Sequence, residues 1–398
     1  MSKARYRIAL FLRTLGGGGA ERVLLNLASG FIQHGLDVDL VVSAGEGLDL
    51  WTIPDGVRVI DLNAPRLSAS LSALIQYLRR ERPHALIPSL HYANEVALVA
   101  KYLSGVPTKV LIPEHNFLSR ELKSHERGSR KWLIPLAMRW LYPLADAVVA
   151  VSQGVATDLE MLTGLPSDRI HTIYNPVILP DLQERAQAPL DHPWFKPGEP
   201  PVILGVGRLE PQKDFPTLIR AFAQVRKIRP ARLVILGWGP DRPQLEALVE
   251  ELKLGDDVWM PGFVNNPFAY MARASVFVLS SAWEGMSNVL VEAMAVGTPV
   301  VSTNCQSGPA EVLKDDKYGA LVPVGDSVAM ANAMLNALKD PGKPVDSQWL
   351  EQFTLMAATR RYLNALNISP IQNENDSTSV VQLLKVNSGD NDGVFELN

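Results

Sequence analysis

A single cysteine, Cys305, occurs in 398 residues. One thiol makes neither an internal disulfide nor a zinc cluster, so packing must hold the fold, and a reducing compartment suits the chain. The seven histidines, at 34, 84, 91, 115, 125, 171 and 192, show no ligand spacing. Charge of one sign is also lacking. The 38 basic residues face 42 acidic ones, a formal −4, which excludes a global field for nucleic acid. No window offers the ~18 uninterrupted apolar residues of a spanning helix. Near the N-terminus, Lys3, Arg5 and Arg7 precede only Ile8 to Leu12 before Arg13 intervenes, a stretch too short for a signal core and better read as a buried strand. The expectation is a protein that is soluble or rests on a membrane surface.

What is present is ordinary globular stock, 47% hydrophobic and 20% charged, long enough for two to three domains at ~150 residues each. In the first half, RIALFL, DVDLVVS, VRVIDL, ALIPS, KVLIPE and AVVAVS alternate with helical periodicity such as AERVLLNLASGFIQHG. Strands alternating with helices imply a parallel, doubly wound α/β sheet. The second half repeats this grammar with VILGVG, ARLVILG, VWMPGF, VFVLS, PVVST and ALVPV, and helices are expected over 215–229, 241–252 and 327–339. Seven prolines (176, 180, 189, 193, 197, 200 and 201) separate the halves. The expected organisation is an N-terminal Rossmann-like domain over 1–180, a linker over 181–200, a C-terminal Rossmann-like domain over 201–345, a helix within 346–366 and a polar, disordered tail over 367–398. The tail holds sequons at Asn367 and Asn375, given little weight without a secretion signal.

Four motifs fall where such sheets bind ligands. GGGGAER, Gly16 to Arg22, follows the first strand and opens the first helix. Gly16, Gly17 and Gly18 let backbone N–H groups approach a phosphate or sugar-phosphate, although a plain flexible turn is the alternative and no dinucleotide fingerprint or Walker A motif is formed. GRLEPQKDF places Arg208 and Lys213 just past a strand, a pair suited to a diphosphate or merely surface charge. LGWGP, with Gly237, is a glycine turn for close ligand approach or a tight turn alone. In SSAWEGMSNVLVEAMAVGTPVV, Glu284 follows a strand, Gly285 permits a tight turn, Ser287 or Asn288 is placed to N-cap the helix, and Glu292 comes two turns on at nearly the same face, eight residues at ~100° returning to within ~80°. They would then flank an anion while accepting sugar hydroxyls. Glu292 stands among Val289, Leu290, Val291, Ala293 and Met294, so its charge needs a partner.

Together, Glu284-x7-Glu292, Gly207-Arg-Leu-x4-Lys213 and the run GTPVVSTNCQSGPAEVL resemble the retaining glycosyltransferases of family 4, the group 1 glycosyl transferases, over nearly all of 1–366. The resemblance implies a GT-B fold, two Rossmann-like domains facing a cleft, with the C-terminal helix returning to the N-terminal domain. It implies further that Arg208 and Lys213 hold a nucleoside diphosphate, that Glu292 takes ribose hydroxyls, and that Glu284 sits by the donor sugar. Backbone N–H groups of Gly285, Met286, Ser287 and Asn288 would touch sugar or phosphate, and Phe263 and Val264 would border the base. His115, in PEHN, would face the donor sugar; alone, it reads as a structural histidine. Met286-Ser287-Asn288 replaces the F-G-L or F-P-N of many relatives. The implied reaction is retaining transfer from a UDP-linked galactose or N-acetylhexosamine to a glycan, in surface-polysaccharide or lipid-linked oligosaccharide assembly, without a cofactor.

Asp37-x-Asp39 spells a metal signature of the other major glycosyltransferase fold, but it opens a strand and reads as solvated charge, so no required metal is expected. From Phe117 to Tyr142, Arg120, Lys123, Arg127, Arg130, Lys131 and Arg139 outnumber Glu121 and Glu126, with Trp132 and Trp140 interleaved. This suits an interfacial helix on an anionic membrane near a lipid diphosphate, or a solvated helix face. The expected place is cytoplasmic, peripheral on the inner face of the cytoplasmic membrane. Two other readings of the chain are a nucleotide-sugar epimerase and a non-catalytic scaffold.

Overall fold

The computed structural model describes residues 6–15, 18–45, 52–123 and 134–369, with backbone alone at 91 and 121–123. Seven strands, β1 (Arg7–Leu12), β2 (Asp37–Val42), β3 (Val57–Asp61), β4 (Ala85–Pro88), β5 (Lys109–Glu114), β6 (Ala147–Ala150) and β7 (Ile170–Thr172), form a parallel sheet in the order β3-β2-β1-β4-β5-β6-β7. Six more, β8 (Val202–Val206), β9 (Arg232–Leu236), β10 (Val258–Gly262), β11 (Val276–Leu279), β12 (Val300–Thr303) and β13 (Ala320–Val322), form a second, in the order β10-β9-β8-β11-β12-β13. Apolar runs such as Ile8–Leu12 are buried on both faces because helices cover both sides of each sheet. Strand order reverses beside β1 and again beside β8, which opens a crevice at the carboxyl ends of each sheet.

The edge strand β7, reading Ile-His-Thr, escapes sequence analysis because only its isoleucine is apolar and buried. The stretch 181–200 carries the helix Leu182–Gln187, buries Leu182 and Ala186, and stacks His192 on Trp259 at 4.0 Å. The helix expected within 346–366 is two, Ser347–Glu351 and Leu355–Ala365. Between them Thr354 Oγ1 caps Ala357 N at 3.3 Å, and the Phe353 carbonyl accepts the N–H groups of Val177 and Ile178 at 2.9 and 3.0 Å. The second helix does return to the first sheet, where Tyr362, Leu363 and Leu366 share a core with Ile8, Leu24 and Leu27. Residues 370–398 lie outside the described residues.

Asp37 and Asp39 do open β2, at the end of the sheet away from its carboxyl crevice. Asp39, however, is no solvated charge. It is buried, with its carboxylate accepting from Arg58 at 2.9 and 2.6 Å and from the Tyr77 hydroxyl at 2.6 Å. Among the described residues, no three His, Cys, Asp or Glu side chains are grouped to hold a metal ion, and no helix is long and apolar enough to cross a membrane.

Candidate functional site

Between the two sheets lies a cavity of about 980 Å³ lined from both domains. The N-terminal domain contributes Gly18, Arg22, His115 and Asn175, and the C-terminal domain Arg208, Lys213, Gly237, Phe263, Val264, Glu284, Gly285, Met286, Asn288 and Glu292. Strand ends explain the convergence. β5 delivers His115, β8 delivers Arg208, β9 delivers Gly237, β10 delivers Phe263, and β11 leads to Glu284. Gly237 must be glycine, since at φ +143° a Cβ would stand 1.8 Å from the Gly207 carbonyl oxygen.

Lys213 Nζ donates to Glu284 Oε1 at 2.6 Å, and the Ser281 hydroxyl donates to the same oxygen at 2.6 Å. Arg208 is more exposed and pairs with Glu210 at 3.1 Å. Glu284 does not lie on the helix: Asn288–Ala295 begins four residues later, after the non-helical Ser287 at φ −81°, ψ 82°. The same-face geometry expected for the two carboxylates therefore fails, and each has its own cation. Glu292 Oε1 meets Arg22 Nη1 at 2.9 Å. Burial pushes the Glu292 carboxyl up, while Arg22 and Arg185 oppose that rise.

Two further expectations are corrected. Ser287 occupies the N-cap position without a capping bond; its Oγ is buried and has no partner among the described residues, and it does not line the cavity. The Asn288 N–H donates to the Met286 carbonyl at 3.0 Å, so it is engaged rather than offered to a ligand. The Asn288 side chain instead accepts from Asn175 Nδ2 at 2.9 Å across the cleft.

The domains meet closely beside the cavity. A Cβ on Gly285 would stand 1.9 Å from the His115 carbonyl oxygen, so only glycine permits this approach. The Gly285 carbonyl accepts the hydroxyls of Ser152 and Ser307, each at 2.8 Å. His115 is buried, neither ring nitrogen has a hydrogen-bond partner among the described residues, and burial pushes its pKa down to about 4, so the ring is neutral at pH 7. An unpaired neutral imidazole at a cavity wall is free to donate or accept one hydrogen bond to a ligand hydroxyl.

Gly16, Gly17, Arg127, Arg130, Lys131 and Trp132 lie outside the described residues, as does the side chain of Lys123. Arg120 sits 5.9 Å over the Trp283 ring, facing the C-terminal domain's loop. The helix Ile134–Leu141 buries Met138 but leaves Trp140 74% and Leu136 49% exposed. The helix His91–Ser104 packs against it and ends with exposed Tyr102 and Leu103. Sequence reasoning missed Arg22, Asn175 and Arg185. Arg22 stood within the quoted glycine motif, but nothing local marked its partner.

Two family models match the chain, Glycosyltransferase Family 4 over residues 17–179 and Glycosyl transferases group 1 over residues 188–351. An N-acetylgalactosamine-N,N'-diacetylbacillosaminyl-diphospho-undecaprenol 4-alpha-N-acetylgalactosaminyltransferase of Campylobacter jejuni is 31% identical over 346 residues, covering 84% of this chain and 90% of that one. The lipopolysaccharide core biosynthesis glycosyltransferase LpsE of Rhizobium meliloti is 27% identical over 365 residues, 89% of this chain and 97% of its own. Among solved structures, Anabaena HepE in complex with UDP superposes with a TM-score of 0.73 at 21% identity, covering 91% of this chain and 99% of that one. That likeness shows a shared two-domain GT-B fold.

Proposed function

The chain belongs to glycosyltransferase family 4, the group 1 glycosyl transferases, and we propose that it transfers galactose or an N-acetylhexosamine, with retention, from a UDP-linked donor. The proposed acceptor is a polyprenyl-diphosphate-linked saccharide in surface-polysaccharide or lipid-linked oligosaccharide assembly. The names of the Campylobacter and Rhizobium relatives support this acceptor class, and the UDP in the Anabaena complex supports the base. One observation carries the reading: the cavity holds Arg208 and Lys213 on one wall and the unpaired, neutral His115 on the other.

In this reading the diphosphate lies against Arg208 and Lys213. As the bond to the anomeric carbon breaks, negative charge grows on the departing phosphate, and fixed cations stabilise it by several kcal/mol. That charge comes from the chain's own side chains, which supports transfer without a required metal. His115 offers its ring to a donor-sugar hydroxyl, and Glu292 accepts from ribose. The cavity carboxylates Glu284, Glu292 and Asp181 are already ion-paired, with Lys213, Arg22 and Arg185, which favours front-face attack with the leaving phosphate taking the acceptor proton over a carboxylate nucleophile. The exposed Trp140 and Leu136 of the helix Ile134–Leu141, and the exposed Tyr102 and Leu103 of the helix packed against it, support peripheral seating on the inner face of the cytoplasmic membrane.

The test is incubation with UDP-, GDP- and ADP-sugars, with and without polyprenyl-diphosphate saccharides. Nucleoside diphosphate released together with an extended glycan, carrying an α-anomer from an α-linked donor, is the expected result. Conversion of donor without acceptor would show an epimerase, and no conversion at all a scaffold. Sedimentation with anionic vesicles at low salt tests the membrane seat; a protein that stays in the supernatant would refute it.

A further inference from the structure

Glu292 sits within the helix Asn288–Ala295, 2% exposed, with Leu290, Val291, Ala293 and Met294 buried around it. A carboxylate in such surroundings stays ionised only beside a counter-ion. Its own helix carries no other charge. Glu311, on the adjacent helix Pro309–Val312, is taken up by the Gln153 N–H at 2.9 Å and the Tyr174 hydroxyl at 2.6 Å. The charged groups that act on Glu292 are Arg22, from the first helix Gly19–Gln33, and Arg185, from the helix Leu182–Gln187. Arg22 makes the ion pair, at 2.9 Å, and lies 5.4 Å from the Phe268 ring centroid; Arg185 flanks the same ring at 4.5 Å and pairs with Asp181 at 3.9 Å. Glu292 Oε2 is buried and, among the described residues, has no hydrogen-bond partner.

We infer that Arg22 is a positioning residue for the donor: from the opposite domain it fixes Glu292 Oε1, leaving Oε2 to accept a nucleotide hydroxyl. The inference rests on the reading of Glu292 as the ribose contact. Arg22 itself need not touch the reacting atoms. Because the pair bridges the cleft, Glu292 is correctly aimed only when the N-terminal domain is near, and nucleotide binding is thereby tied to closure. Removing Arg22 withdraws the cation that most opposes the upward push of burial on Glu292. The carboxyl then protonates at higher pH, and a protonated carboxyl gives up one of its acceptor oxygens.

The experiment is calorimetric titration of UDP, with GDP and ADP as alternatives, from pH 6 to 8.5, into the wild type, Arg22→Gln, Arg22→Lys, Glu292→Gln and the Arg22→Gln/Glu292→Gln double variant. Each variant's Kd is divided by the wild-type value at the same pH, so the nucleotide's own titration cancels. Arg22→Gln should raise Kd about tenfold at pH 7.5, the loss expected for a charge-assisted contact, and the ratio should climb as pH falls. Glu292→Gln should weaken binding with a flat ratio, and the double variant should be no weaker than Glu292→Gln alone. Arg22→Lys, which keeps the charge, should restore a flat ratio. A merely structural arginine would not bend the pH profile. A flat ratio for Arg22→Gln, or a bent one for Arg22→Lys, overturns the inference while leaving the nucleotide reading intact. A wild type that binds none of the three nucleotides overturns both.

Discussion

Replacing Gly285 by alanine probes how far transfer depends on the closed approach of the two domains. The new Cβ would stand 1.9 Å from the His115 carbonyl oxygen and 2.8 Å from its carbon, where real Cβ atoms essentially never come within 3.0 Å. Both obstructing atoms are backbone, so no side chain can swing aside. The loop and the end of β5 must part by at least about 1.1 Å, the difference between 3.0 and 1.9 Å. That movement also strains the two 2.8 Å hydrogen bonds from Ser152 and Ser307 to the Gly285 carbonyl. Each such bond contributes about 1 kcal/mol, so the stability lost is about 2 kcal/mol. Rate is far more sensitive, because misplacing reacting groups by ~1 Å costs about 10²-fold. Gly285→Ala should therefore lower kcat/KM about 100-fold while scanning calorimetry shows Tm falling by only several degrees. Gly255→Ala, where an added Cβ meets nothing within 4 Å, is the control and should match the wild type in both. If Gly285→Ala turns over within threefold of wild type, the domains part freely during transfer and the argument from closure is wrong.

Lys213→Ala strands the buried Glu284 carboxylate, so urea unfolding should show a loss of about 3–5 kcal/mol along with a fall of at least ~10²-fold in kcat/KM; adding Glu284→Gln should recover stability but not rate. Arg208→Ala, at a more exposed site paired only with Glu210, should cost ~10²-fold in kcat/KM with stability within ~0.5 kcal/mol, and near-native kinetics would remove the diphosphate assignment. His115 has its pKa pushed down to about 4, below the unfolded value of ~6.5, so the unfolded chain takes the proton first. Its contribution is full above pH 6.5 and lost as pH falls toward 4; wild-type stability measured against His115→Gln should drop by about 2 kcal/mol between pH 6.5 and 5, and a flat difference would show that the ring is not desolvated. Transfer should survive excess chelator, and loss of turnover restored by Mg²⁺ or Mn²⁺ would refute the metal-independent reading.

Twelve of the thirteen strands stood out in the sequence because most are buried on both faces and read as β-branched apolar runs, while the more exposed edge strands β3 and β10 still open on apolar residues, and helices between strands keep a 3.6-residue period. β7 and the break at Phe353 did not. The first has only one apolar residue in three and so makes no apolar run, and the second is set by the N–H groups of Val177 and Ile178, which lie far from it in sequence. The site divides the same way. Gly18, Arg208, Lys213, Gly237 and Glu284 follow strand ends, so position along the chain pointed to them. Which cation meets which carboxylate was hidden: extending the helical face back to Glu284 ignored the loop Gly285–Ser287, whose course is dictated by the backbone of His115 from the other domain. Asp39 misled for a related reason, since Arg58 and Tyr77, which bury it, belong to β3 and the helix Leu71–Glu81.

The pairing of Lys213 with Glu284 has a consequence for how the proposed reaction divides binding from turnover. Two unopposed cations would hold a diphosphate tightly before and after transfer alike, and uniform binding of that kind lowers KM without raising kcat. With Glu284 Oε1 at 2.6 Å from its ammonium, Lys213 is partly satisfied when the donor arrives. Its pull on phosphate then matters most as the glycosidic bond breaks and the phosphate gains charge, which is when the competing carboxylate loses its hold on the ammonium. On this reading Glu284 acts by making Lys213 a better ligand for the transition state than for the ground state. Glu284→Gln should accordingly bind nucleoside diphosphate more tightly than the wild type while turning over more slowly, a split that a carboxylate serving only as a sugar contact would not produce.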